Sequence, residues 1–404
     1  MKGSSAASRR VLTLAIVTLA LVSAAHASPR YRILYGFRGQ PNDGAGAWGS
    51  LAFDARGDLY GTTINGGTYN LGTVFELTPH PGGRWTETIL YDFDCYATPG
   101  CMPESGFVLD PAGNLYGATT GGGNEFGSVF ELSSGGGWNL TVLYDRGTRS
   151  TLTLDEAGDL YGPMGSVGKY GDGAISELVK DDGWAENWLY SFCPKGYPCL
   201  DGAGPFGGVI WGPDGSLYGT TQWGGKNGYG EVFQLVPQEG GTWKEILLHS
   251  FPAFPTDGQT VYDGVIQDGS GNLYGATYEG GGGLHDCGVI FELSPQANGN
   301  WKETILYDFP NLSQGCSAND LTFDANGNLW GTSGGGGKYG DGVVFELSPQ
   351  KSGKWKYSVV HQFNWKDGAL PASAVIFDKQ GNLYGTTVLG GAPYYNGIVF
   401  EITP

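Results

Sequence analysis

The stretch Gly381-Asn382-Leu383-Tyr384-Gly385-Thr386-Thr387 decides the fold, because it is one copy of seven. The string G-[D/N/S]-L-[Y/W]-G sets its aromatic at Tyr60, Tyr116, Tyr161, Tyr218, Tyr274, Trp330 and Tyr384, at intervals of 56, 45, 57, 56, 56 and 54 residues. A recurring period of this size marks a repeat architecture. A short apolar strand and a turn such as Asp324-Ala325-Asn326-Gly327 precede the string; Asp caps such a turn and Gly accepts positive φ. L-Y-G-T-T then reads as a second strand. A Gly-rich loop leads to a third, as in residues 342–347 (GVVFEL), and a Pro, Gly and Ser turn to a fourth opened by Trp, as in residues 301–309 (WKETILYDF). Short runs of β-branched and aromatic residues alternating with polar ones, bounded by turn residues, are strands. Four strands per unit in radial repetition make a β-propeller blade. The sequence therefore predicts an all-β protein, a seven-bladed β-propeller of four-stranded antiparallel blades.

Composition excludes the alternatives. Gly fills 73 of 404 positions, about 18% against a usual ~7%. Each Gly inside a helix costs roughly 1 kcal/mol relative to Ala, which rules out a helical protein. The Gly has no period of three, so collagen fails. Hydrophobic residues at 40% and aromatics at 13% are enough for a large core, so disorder fails.

The chain ends supply a closure. The seventh unit stops after its third strand, Phe400-Glu401-Ile402-Thr403-Pro404, while residues 31–37 (YRILYGF) form an orphan copy of a fourth strand. The last blade is expected to be completed by this N-terminal strand, which would remove two exposed sheet edges.

Residues 1–27 read as a signal peptide: Lys2, Arg9 and Arg10 form a basic region, residues 11–22 an apolar core, and Ala25-His26-Ala27 an A-x-A cleavage site. Cleavage after Ala27 leaves one propeller domain over 28–404, secreted or periplasmic, with no membrane span and expected to be a monomer. Taking those three basic residues from the net charge of −18 leaves −21. So acidic a chain repels phosphate backbones, and nucleic acid is not an expected partner. All six Cys fall in the exported part, where disulfides form. Cys95 and Cys101 are six apart, as are Cys193 and Cys199, and both pairs read as loop-closing disulfides. Cys287 lies in the second-to-third-strand loop of blade five and Cys316 in the connector leaving it. Propeller topology puts both on one face, which predicts Cys287–Cys316. No zinc or redox spacing occurs, and neither metal nor cofactor is expected.

L-Y-G-T-T followed by Gly-Gly, then G-x-V-F-E-L-x-P, then L-Y-x-F and a connector with Asp-Gly, resembles the tandem GloVer repeat of exported bacterial proteins. The resemblance runs from Tyr31 to Pro404 and implies an exported propeller, with no activity or catalytic motif attached. Blade three departs most, with Pro163-Met164 for Thr-Thr and a connector shortened to residues 146–150.

Acidic residues repeated in every blade, such as Glu76, Glu131, Glu177, Glu292, Glu346 and Glu401, with Gln234 in blade four, read as structural, since catalysis uses single, differentiated groups. Asp43, Asp201, Asp257 and Asp367 each precede Gly in connectors and read as turn chemistry ahead of calcium ligation. His249 and His361 replace the Tyr of L-Y-x-F, where packing is the simpler role; His80 and His285 complete the exported set. The loops after the second strand carry Tyr69, Phe126, Tyr170, Tyr229, Tyr339, Tyr394 and Tyr395, with His285 in blade five, and Trp48, Trp223 and Trp365 lie nearby. Gly-rich loops bury rings poorly, so an uncharged aromatic rim suited to sugar faces is expected. The sequence thus points to a binding module for a glycan or cell-envelope ligand. The alternatives are a polysaccharide-active hydrolase or lyase at the propeller mouth and a purely structural surface protein. No nucleophile elbow, H-E-x-x-H or P-loop is present.

Overall fold

The structure is a computed structural model; it describes residues 29–404 apart from 96–99, 123–126, 165–167, 253–256 and 284. The segment expected to be a signal peptide lies outside the described residues. Seven four-stranded antiparallel blades form a propeller. Blade one is typical, with strands Ala52–Phe53, Leu59–Gly66, Thr73–His80 and Arg84–Asp92 in that lateral order. Blade seven is built from Ile376–Phe377, Leu383–Thr387 and Ile398–Thr403, and its outer strand is the N-terminal Arg30–Gly36. Tyr31 pairs with Ile402 and Ile33 with Phe400, which is the closure expected from the orphan strand.

Each residue of L-Y-G-T-T has its own task. The aromatic is almost fully buried and its polar tip meets the repeated acids: Tyr60 Oη donates to Glu76 at 2.7 Å, and Tyr384 Oη to Asp378 at 3.1 Å. In blade four the substitute Gln234 donates through Nε2 to Tyr218 Oη at 3.0 Å. Hydrogen bonding thus occupies these repeated acids. The first Thr reaches the next blade, Thr220 Oγ1 donating to the Asp263 carbonyl at 2.8 Å and Thr332 Oγ1 to the Ser373 carbonyl at 2.9 Å. The Gly is demanded by close approach. A Cβ on Gly331 would stand 2.5 Å from the ring of Phe345, and on Gly385 2.6 Å from that of Phe400. Gly331→Ala is expected to destabilise by about 2 kcal/mol through overpacking, read as a fall in denaturation midpoint with an unchanged slope.

The core lies between blades, one cluster per interface. Tyr60 of blade one, for example, packs with Phe107, Leu115 and Phe130 of blade two. The Phe of L-Y-x-F closes six of the seven clusters toward the loops: Phe37, Phe93, Phe192, Phe251, Phe309 and Phe363 are all buried, and blade two has Arg146 in its place. Full burial of a Phe contributes roughly 1.5–3 kcal/mol, so the blades are held mainly by these side-by-side contacts.

Candidate functional site

The loops after the second strands and the connectors between blades share one face and are tied together there. One connector amide donates to the preceding blade's loop at six interfaces: Gly46 to the Asn396 carbonyl, Met102 to Leu71, Gly204 to Asp172, Thr260 to Tyr229, Ser317 to Cys287 and Leu370 to Asp341. Every one of those six donors has left-handed backbone, φ between 54° and 70°. Four are not Gly, and Thr260 is β-branched, for which such a conformation is a genuine outlier. Connectors also extend their own blade's second strand, as Gly258–Gln259 pairs with Glu279–Gly280. Cys95–Cys101, Cys193–Cys199 and Cys287–Cys316 are all bonded on this face, and there are no free thiols. A disulfide-pinned, cross-bonded face is a rigid platform for whatever side chains it displays.

What it displays is aromatic. Tyr69 is 53% exposed, Tyr339 52% and Trp223 51%; Trp48, Tyr170, Tyr229, Trp365, Tyr394 and Tyr395 are exposed as well, and so is His285. Phe126 lies outside the described residues. Trp365 and Tyr395 are held in left-handed backbone, at φ 42° and 62°, and their loops are bonded to one another through Gly391 N–H to the Trp365 carbonyl at 2.9 Å. The rim expected to be uncharged is not. Arg38 stands 5.9 Å from the centre of the Tyr394 ring, Lys169 5.6 Å from Tyr170 and Lys338 5.1 Å from Tyr339. These cations are adjacent or nearby in sequence, but composition does not reveal which way long side chains lie. A cavity of about 350 Å³ opens beside Lys338 and Tyr339, against His361, Asn364 and Asp367.

Some aromatics escaped the sequence reading. Tyr197, 96% exposed, sits inside the Cys193–Cys199 loop, and the exposed Tyr262 and Tyr278 meet edge to face at 5.0 Å. The disulfide loop was a usable signal for Tyr197. The Tyr262–Tyr278 contact depends on the connector pairing and had none.

The connector aspartates behave as turn residues with one addition. Asp43 accepts from Gly44 N–H at 2.6 Å and Arg38 N–H at 2.9 Å, and also from Tyr35 Oη at 2.7 Å; Asp201 accepts from Tyr190 Oη at 2.6 Å. At these two positions the Tyr of L-Y-x-F is thus the partner of the connector Asp. Near the axis, blades five and six break the pattern. Asp263 stands two positions before Val265, which leads into strand Ile266–Gln267, and Asp320 one position before Leu321 within strand Cys316–Phe323; blades one to four and seven hold Gly, Ser, Thr or Ala at these positions. Burial raises the Asp320 carboxyl to about 6. Burial, and then repulsion from Asp320, raises Asp263 as well. Comparing the seven units position by position would have singled out this pair.

Among the described residues no helix is long and apolar enough to cross a membrane. Seven blades, an N-terminal strand closing the last, and a disulfide-pinned loop face define the class of disulfide-bonded seven-bladed β-propellers. Within it, the profile described as the Gloeobacter/Verrucomicrobia repeat matches residues 20–209 and 147–400, and the chain belongs to that family. No curated protein matches it in sequence. Similar solved structures include the extracellular domain of a protein assigned to the one-component systems of B. thetaiotaomicron, BT4673, at 12% identity and TM-score 0.57, covering 91% of this chain and 39% of that one. Another is an ancestral GH74 enzyme, at 12% identity and TM-score 0.59, covering 89% of this chain and 48% of that one. The chain therefore spans less than half of either relative, and the likeness is one of fold.

Proposed function

We propose that this protein is an exported binding module whose disulfide-pinned loop face takes glycans or cell-envelope polysaccharide. The observation that carries the reading is the exposure of nine aromatic side chains on one rigid face, three of them with a cation beside the ring. A Tyr or Trp ring gives a sugar an apolar surface to stack on while its polar tip stays in water. Immobilised rings lose little conformational entropy on binding, which favours affinity. Three bonded disulfides suit an oxidising compartment.

The test is a glycan array followed by calorimetry on the strongest hit, with Tyr339→Ala and Trp365→Ala made together. Affinity is expected to fall at least tenfold, about 1.4 kcal/mol, with an unchanged melting temperature. Full retention of affinity in the double variant would exclude this part of the face, and no glycan bound at all would favour a structural surface protein. A second reading rests on Asp263 and Asp320, confined to blades five and six. Glycoside hydrolysis uses two carboxyls, of which one serves as acid and the other as carboxylate, and repulsion from Asp320 adds to the burial that raises Asp263. Release of reducing ends that Asp320→Asn abolishes would replace the binding module by an enzyme.

A further inference from the structure

Toward the loop face, fourth-strand side chains of neighbouring blades meet in several different ways, and at one interface they form a ligand set. At the three–four interface Tyr190 donates to the connector carboxylate of Asp201, with Glu245 of the next blade nearby. At the seven–one interface Tyr35, Asp43 and Glu87 form the same trio. At the five–six and six–seven interfaces the trio is replaced by ring stacks, Tyr307 on Tyr357 at 3.9 Å and His361 on Tyr31 at 3.8 Å. Between blades four and five the tyrosine is His249, on strand Trp243–Ser250, while both acids are kept: Asp257 in the connector and Glu303 on strand Trp301–Asp308.

His249 Nε2 lies 3.6 Å from Asp257 Oδ2 and 3.5 Å from Glu303 Oε2, beyond hydrogen-bonding distance to either. The nitrogen is buried and has no hydrogen-bond partner, and one donor atom from each residue lies within 4.8 Å of the other two. Asp257 Oδ1 is engaged by Gly258 N–H at 2.9 Å, which leaves Oδ2 to face the histidine. A buried imidazole nitrogen with two carboxylates grouped around it at this spacing, the acids close enough to interact with one another, is arranged as ligands are around a cation. For metal–ligand bonds of about 2.0–2.2 Å, the edge of a tetrahedron is roughly 3.3–3.6 Å. Calcium with its longer bonds would tolerate a similar spacing, but it takes oxygen ligands, and an imidazole nitrogen selects zinc and its transition-metal neighbours.

We propose that His249, Asp257 and Glu303 bind one divalent transition-metal cation of the zinc type, which braces blade four to blade five where the repeat's tyrosine hydrogen bond is missing. Three protein ligands leave a fourth position for water. This revises the sequence expectation of no metal site. The ligands are 8 and 46 residues apart, and only the contact between neighbouring blades brings them together.

The experiment is a titration of the chelator-treated chain with zinc chloride, read by calorimetry and by melting temperature. One equivalent is expected to bind and to raise the melting temperature. His249→Tyr restores the residue that the repeat uses at Tyr190 and is expected to fold, yet to weaken zinc binding by more than about 100-fold, beyond the loss caused by removing a merely supporting residue. Glu303→Gln provides an independent variant with the same expected loss. His361→Tyr, whose surroundings lack the glutamate, is expected to bind like the parent. No zinc uptake by the parent, or uptake indifferent to both His249→Tyr and Glu303→Gln, overturns the site. Calcium bound at these residues more tightly than zinc overturns the assignment of the cation.

Discussion

Deleting residues 28–37 is expected to lower the melting temperature by at least about 10 °C and to make the protein aggregate on heating. The removed strand supplies more than ladder hydrogen bonds to Ile398–Thr403. Phe37 is completely buried in the cluster between blades seven and one, and loss of such a side chain alone costs about 3–5 kcal/mol. Tyr31 is stacked on His361 and packed against Phe400, and its hydroxyl donates to the Asp367 carbonyl at 2.5 Å. Arg32 pairs with Glu401. Without these residues the third strand of blade seven becomes a bare edge, and both neighbouring interfaces lose part of their packing. A synthetic peptide of residues 29–40 added in trans should recover part of the loss, which a general defect in folding would not allow. An unchanged melting temperature would contradict closure by this strand.

Closure was legible because it needs only two facts of sequence, a unit lacking its fourth strand and an orphan strand at the other end. The Cys287–Cys316 bond was legible for a similar reason, since strand order alone decides which loops share a face. Other features were hidden by the kind of information they require. Nothing in the residue types of Met102, Thr260 or Leu370 announces left-handed backbone; it arises because each connector must turn to donate its amide to the preceding blade. The cations beside Tyr170, Tyr339 and Tyr394 follow from side-chain direction, which a repeat pattern does not encode. Departures confined to one blade are visible in the sequence but acquire meaning only against their neighbours in space. His249 reads as a packing substitution until Glu303 is found opposite it. Glu231 belongs to the same group. It occupies the start of the third strand in blade four, where the other blades have Thr73, Ser128, Ala174, Val289, Val343 and Ile398, and so marks a unit that differs from the rest.

Glu231 also leads to the second large effect, a stability that rises as the solution is made mildly acidic. Its side chain is completely buried and neither carboxyl oxygen has a hydrogen-bond partner. Burial, reinforced by Glu245 and Asp201, raises its pKa well above the usual 4.5. Burial, then repulsion from a connector aspartate, also pushes Glu245 up to about 7, beside Asp201, and Glu87 to about 7, beside Asp43. A carboxyl raised in the folded state holds its proton after the unfolded chain has released its own. Its stabilisation is therefore complete below about 4.5 and is lost as pH rises through the folded value. Within that window each such group contributes a slope of at most about 1.4 kcal/mol per pH unit. The turn aspartates act with the opposite sign. In Asp54, Asp268 and Asp324 burial pushes upward, but the hydrogen bonds they accept outweigh it and lower the pKa; their stabilisation is lost only as pH falls below about 3.8. The melting temperature is thus expected to climb by about 5 °C or more from pH 8 to pH 5 and to drop again below about pH 3.5. Glu231→Val, which installs the residue of blades five and six, removes the cost of burying this carboxyl, whether that cost lies in protonating it or in burying its charge, and is expected to stabilise at pH 8 by roughly 1–4 kcal/mol. At pH 5 the gain should be smaller, because that is close to the unfolded carboxyl's own value of about 4.5, where protonating it on folding costs little. A melting temperature that falls between pH 8 and pH 5, or a Glu231→Val gain equal at both, would show that this carboxyl is not held in the protonated form by its surroundings.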